Sequence, residues 1–153
     1  MEISPFAVRD NPYEDITGQG YYILNTDYRG DPRNHEDMLA KRKAAAYRNP
    51  WKYKIERLSK GDIVFLYQSG AGIVAVGKAS GILEKHPHGN PESPEDEYSM
   101  PLKQFTQLEN PLPAAEVKEI TGVDYRFMST MFALDAESGK NLYTYVLHSK
   151  GKK

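Results

Sequence analysis

Apolar positions along the chain fall into short runs separated by turn formers, and their spacing changes from one run to the next. Tyr21-Tyr22-Ile23-Leu24-Asn25-Thr26 is a compact, β-prone run and is expected as the first strand. Tyr28-Arg29-Gly30-Asp31-Pro32 follows as a turn. Asn34 has the character of an N-cap, with Glu36 and Asp37 in the first turn, so a helix is expected from there to about Arg48. Asn49-Pro50 stops it, and Pro50 can open a second helix. In that second helix Trp51, Ile55 and Leu58 stand at i, i+4 and i+7, one face of an α-helix, with Gly61 placed to end it.

The next stretch alternates little. Asp62 to Tyr67 is an apolar run of buried-strand type. Ser69-Gly70-Ala71-Gly72 is a tight connection, and Ile73 to Ala79 is the returning strand, so residues 62–80 form a hairpin. His86 to Glu97 carries three prolines, a glycine and four acids and is expected as a solvated loop. Tyr98 to Leu102 has strand character. Pro113 introduces a short helix, Ala114 to Thr121, with Gly122 beyond its end. Phe127 to Leu134 is compatible with strand or loop. Asp135 caps a last helix to about Leu147, although Leu142-Tyr143-Thr144-Tyr145-Val146 has strand composition.

The chain has 153 residues, which suits one domain. Residues 1–20 are expected as an N-terminal extension on or beside it, residues 21–148 as the domain, and residues 149–153 as a basic tail. No apolar run approaches the ~20 residues of a membrane span, the mean hydropathy is −0.67, and Met1 to Pro5 lacks the pattern of a secretory signal. Cysteine is absent, which excludes disulfides, thiolate metal sites and a cysteine nucleophile. These features together point to a cytoplasmic protein without a membrane role.

The net charge of −1 hides an asymmetry. Tyr28 to Lys60 holds ten Lys/Arg against four Asp/Glu, a net of +6, and Glu84 to Glu97 holds one Lys against five acids, a net of −4. The basic stretch is either a solvated face or a phosphate-contacting surface. Its single tryptophan, Trp51, is either core or a stacking wall. Gly72 to Lys78 has the G-x4-G-K spacing of a phosphate loop, but its spacer is β-branched and Ala79 stands where a metal-binding hydroxyl belongs. It is expected as strand. His86 and His88 alone make a poor metal site. No nucleophile elbow, zinc-protease helix or paired-acid arrangement occurs, so neither an enzyme nor a cofactor is expected.

Leu58-Ser59-Lys60-Gly61-Asp62-Ile63-Val64-Phe65-Leu66-Tyr67-Gln68-Ser69, followed by Gly72-Ile73-Val74-Ala75-Val76-Gly77-Lys78, resembles the EVE domain family. That family belongs to the wider PUA-like group that includes YTH domains. Asn110-Pro111-Leu112-Pro113 is similar to a later turn of the family. The resemblance implies an α+β fold, a PUA-like mixed β-barrel of about five or six strands with flanking helices. It implies an aromatic-lined pocket that takes a modified base of RNA or DNA. Carried over, Asn25 and Thr26 would bond the base edge, Trp51 would be a cage wall, and Tyr67 and Ser69 would line the pocket. Lys41, Arg42, Lys43 and Arg48 would meet phosphates. The first strand departs from the family pattern at Asn25-Thr26-Asp27. A small-molecule-binding or protein-interaction domain using the same pocket, with the basic stretch as mere surface, is the alternative.

Overall fold

The computed structural model describes residues 19–127 and 129–150. The expected N-terminal extension, apart from Gln19 and Gly20, lies outside the described residues, as do residues 151–153 of the tail. The elements in chain order are β1 (Tyr21–Asn25), α1 (Pro32–Lys41), β2 (Lys43–Tyr47), a 3₁₀ helix (Trp51–Arg57), β3 (Ile63–Gln68), β4 (Gly72–Ala79), β5 (Glu84–His86), β6 (Glu97–Leu112), α2 (Ala114–Thr121), β7 (Met131–Leu134) and α3 (Ala136–Tyr145). A π turn over Val146–Lys150 follows α3. The strands form one mixed sheet in the order β2-β6-β4-β3-β1-β7, with β5 beside β6. Only β1 and β3 pair in parallel; the other pairs are antiparallel.

The long strand β6 curls this sheet. Its first residues pair with β2 and its later ones with β4. Just after the switch, within the part that pairs with β4, Gln104 takes a left-handed backbone (φ 50°), and the β4–β6 register shifts twice. Such irregularities bend a strand and raise its twist. The sheet becomes a half-barrel with β2 and β7 at the two ends of its strand order, and an open seam lies between their free edges. The α+β, barrel-like architecture expected from the sequence is the one observed.

The central hairpin is β3–β4, in the expected place. Its lack of alternation has a physical reason: β3 is buried on both faces. Val64 and Leu66 enter a core shared with Leu24, Met38, the alanines of β2 and Ile55. Ile63, Phe65 and Tyr67 enter a second core shared with Val117, Leu134 and Leu142 from α2, β7 and α3. The caps of α2 and α3 fall where expected, at Gly122 in the left-handed conformation and at Asp135, whose carboxylate accepts the Ser138 N–H. Gly72 to Ala79 is a strand and not a phosphate loop.

Four expectations are corrected. The helix from Asn34 to Arg48 stops at Lys41; Arg42 closes it in the left-handed conformation and β2 begins. Helix preference amounts to a few tenths of a kcal/mol per residue, and five pairings of β2 with β6 outweigh it here. The three alanines are 2% exposed or less. The cap of α1 is Asp31, not Asn34, and Pro32 occupies the first turn. Asn110-Pro111-Leu112 ends β6 and is not a turn.

The fourth correction concerns helical phase. Trp51 to Arg57 is a 3₁₀ helix, in which residues three apart share a row. Lys52, Ile55 and Leu58 form the buried row. Trp51 leaves the face that α-helical spacing had assigned to it and stands 51% exposed. Among the described residues, no helix is long and apolar enough to cross a membrane.

Candidate nucleic-acid interface

A cavity of about 470 Å³ opens at the seam of the half-barrel. Asn25, from the end of β1, and Ser129 and Thr130, just before β7, line one side. Ala45, Ala46 and Tyr47 of β2 line the other. Trp51, Arg48 and His88 stand around the mouth with Arg29, and Ser69 enters from the β3–β4 turn.

The edge of β2 supplies hydrogen-bonding groups. Leu102 N–H donates to Arg42 C=O, and Arg48 N–H donates to Asp96 C=O. In an antiparallel ladder these bonds recur at every second residue. Ala44 and Ala46 therefore bond β6, while the N–H and C=O groups of Ala45 and Tyr47 face the opposite edge. That edge has no strand partner, and among the described residues no hydrogen bond engages those groups. Unpaired backbone at a strand edge is a ready template for a ligand that presents donors and acceptors in one plane. Ala45 and Ala46 carry only a methyl each, which leaves room beside that edge.

Tyr47 stacks on His88 with ring centroids 4.3 Å apart and a tilt of 31°. Its hydroxyl is buried without a partner among the described residues. Burial pushes the phenol well above its ordinary pKa, and the carboxylates of Glu97, Asp37, Asp27 and Asp31 push it the same way. The ring is therefore a neutral wall. The β1–α1 connection builds the rest of the rim. Asp27 has a left-handed backbone (φ 62°), and its carboxylate accepts from Asn34 Nδ2 at 2.9 Å. Gly30 allows this fold-back, since a Cβ there would stand 2.3 Å from Asp27 Oδ1.

The residues expected at the site divide into three groups. Trp51, Ser69, Asn25 and Arg48 line the cavity. Asn25 is already engaged: its Nδ2 donates to Phe127 C=O at 3.2 Å and its Oδ1 accepts the Asp27 N–H at 2.8 Å. It holds the cavity wall in shape and has little left for a ligand.

Thr26 and Tyr67 lie in the core instead. Thr26 is 0% exposed, with its hydroxyl 2.7 Å from His35 Nδ1 and 3.3 Å from Tyr67 C=O. Tyr67 shares the strand parity of Ile63 and Phe65, so it points into the second core, where it stacks on Phe127 at 4.1 Å. Among the expected phosphate ligands, Lys43 is buried with its ammonium between Asp37 and Glu97. Lys41 is exposed and pairs with Asp37. The Arg42 guanidinium lies 6.0 Å from the Phe105 ring. None of these three lines the cavity.

Sequence reasoning missed Ala45–Tyr47, because the stretch was expected as helix, and it missed Asp27, Arg29 and His88. The turn formers of 28–32 directly after a strand were the available signal for Arg29; β2 gave none.

No protein-family model matches the chain, and no curated protein matches it. Solved structures do. The ASCH protein of Zymomonas mobilis superposes with a TM-score of 0.56 at 9% identity, over 86% of this chain and 96% of its own. The protein PSPTO5229 of Pseudomonas syringae gives 0.53 at 15% identity, over 81% and 97%. The YTH domain of Mmi1, solved in complex with RNA, gives 0.53 at 13% identity, over 88% and 84%. The fold is PUA-like. At these identities the likeness concerns the fold alone, and the chemistry has to be argued from the cavity.

Proposed function

We propose that the chain is an EVE-like nucleic-acid-binding module that admits one base, carrying a small modification, into the seam cavity and acts by binding alone. The observation that carries this reading is the pairing of a half-exposed Trp51 with the free backbone edge of β2 across one cavity. A nucleobase needs an aromatic surface for its face and in-plane partners for its edge. A cavity of about 470 Å³ is within the usual range for a small ligand. Arg29 and Arg48 stand at the same opening. The complex of the Mmi1 YTH domain with RNA supports a nucleic-acid ligand for this fold. A base with an added methyl would gain from burying it in the cavity, since each buried CH₂ contributes about 0.8 kcal/mol, roughly fourfold in affinity.

Trp51 is the only tryptophan, so its emission reports occupancy directly. Short single-stranded RNA and DNA, with and without methylated bases, would be titrated at several salt concentrations. Quenching that weakens with salt and prefers a methylated base is expected, with the oligonucleotide recovered unaltered. Trp51→Ala, followed by anisotropy of a labelled oligonucleotide, should lose most of the affinity while keeping the melting temperature. Indifference of the folded protein to all nucleic acid at low salt would refute the proposal and leave a small-molecule site in its place.

A further inference from the structure

The 3₁₀ phase that turns Trp51 outward places Lys54 and Arg57 on the same row, successive members about 6 Å apart along the axis. On the far side of Trp51 this row lines a second, shallower concavity of about 450 Å³, together with Tyr53. Trp51, Ser129 and Thr130 belong to both concavities, so the indole is a partition between two adjoining sites.

The two sites differ in charge. The cavity balances Arg29 and Arg48 against Asp27 and Asp31. The groove has Lys54 and Arg57 and no carboxylate in its lining. Neither cation forms an ion pair among the described residues. The Tyr53 ring beside them is 41% exposed. The ring makes a T-shaped contact with Tyr98 at 5.4 Å, and the Lys52 ammonium lies over it 5.3 Å from its centroid. Lys52 is itself fixed by donating to Glu95 C=O at 2.7 Å. The groove therefore offers a braced aromatic face beside two available cations. This is the combination that follows a single nucleic-acid strand: cations for the backbone, a ring for a base.

We infer that the groove holds the nucleotide adjoining the one in the cavity, with Lys54 and Arg57 on the backbone phosphate and Tyr53 against the flanking base. The ligand is then a single-stranded segment of at least two nucleotides that crosses Trp51. This inference rests on the base-binding reading of the cavity and adds the second half of the site.

The test compares a free nucleoside, a dinucleotide and a hexanucleotide carrying the same preferred base. Native protein and a Lys54→Ala/Arg57→Ala double variant are compared, with Tyr53→Ala as a second variant. Native protein should bind the hexanucleotide at least tenfold more tightly than the nucleoside. The double variant should lose that gain, flatten the slope of log affinity against log salt by about 0.7 for one phosphate, and bind the nucleoside unchanged. Tyr53→Ala should weaken oligonucleotide binding with the salt slope preserved. An oligonucleotide affinity and salt slope untouched in the double variant would overturn the groove while leaving the cavity reading intact. Loss of nucleoside and oligonucleotide binding alike would also overturn it, by placing these residues in the support of the cavity. Failure of every ligand on native protein would overturn both.

Discussion

Lys43 offers a sharp test of the physics that holds the seam in place. Its ammonium is buried between Asp37 Oδ2 at 2.8 Å and Glu97, whose side chain is 7% exposed. Burial alone would lower the Lys43 pKa, but the hydrogen bonds and charges of Asp37 and Glu97 more than reverse this and raise it. Burial likewise works against the Asp37 carboxylate, yet Lys43 and Lys41 hold it below its usual value. Both groups are therefore charged throughout the range from pH 5 to 7. Lys43→Met keeps the apolar stem and leaves Glu97 buried without its cation. Breaking such a pair costs about 3–5 kcal/mol. Urea unfolding at pH 7 should therefore show Lys43→Met less stable than native by about 3–5 kcal/mol. Adding Glu97→Gln, which removes the buried carboxylate left without its cation, should recover part of that loss. A loss below about 1 kcal/mol, or no recovery in the double variant, would refute the buried-pair argument.

Three further outcomes are expected. Gly72 has φ +130°, and a Cβ there would stand 2.2 Å from the Leu112 carbonyl oxygen, so Gly72→Ala should cost more than about 2 kcal/mol in thermal or urea unfolding. Gly122, with φ +79° and open space around its Cβ position, should lose only about 1 kcal/mol on the same substitution. Burial lowers the His35 pKa and Glu36 only partly opposes it, so the folded state favours the neutral ring beside Thr26. Stability contributed by the neutral ring is present above the unfolded pKa of about 6.5 and is lost as pH falls toward the folded value. Melting temperatures from pH 7 to 5 should show that loss, and His35→Gln should flatten it.

Much of the frame was legible along the chain because it rests on local chemistry. The β3–β4 hairpin, the Pro113 entry and Gly122 exit of α2, and the Asp135 cap of α3 each follow from residues within a few positions of one another. What escaped were features set by distant partners. Lys43 to Tyr47 has the composition of a helix and becomes a strand only because residues 97–101 lie beside it. The parity of Tyr67 is fixed by which face of a doubly buried strand meets α2 and α3, and a run apolar at every position carries no mark of that choice. Trp51 was placed with Ile55 because four-residue spacing describes an α-helix. A single 3₁₀ segment moves it from core to cavity.

Charge shows the same distinction between tally and placement. The +6 of residues 28–60 treats ten cations alike, but the fold assigns them different work. Arg33 closes on Asp31, and Lys41 on Asp37. Lys43 and Lys52 are buried, one in its ion pair and the other on the Glu95 carbonyl. The Glu97 carboxylate and the Glu95 backbone carbonyl both belong to the acidic stretch of 84–97, so one charge and one neutral acceptor pin that stretch against β2 and the 3₁₀ helix. Arg42 lies against the Phe105 ring, and Lys60 lines neither concavity; Arg29, Arg48, Lys54 and Arg57 line the two concavities that meet at Trp51. A molecule of net charge −1 can thus present a cationic rim confined to its seam. Long-range attraction for a polyanion would be weak, and binding would depend on contacts made within about one Debye length, ~8 Å at physiological salt. On the proposed reading, selectivity would then fall to the groups inside the cavity, the backbone edge of Ala45 and Tyr47 and the face of Trp51.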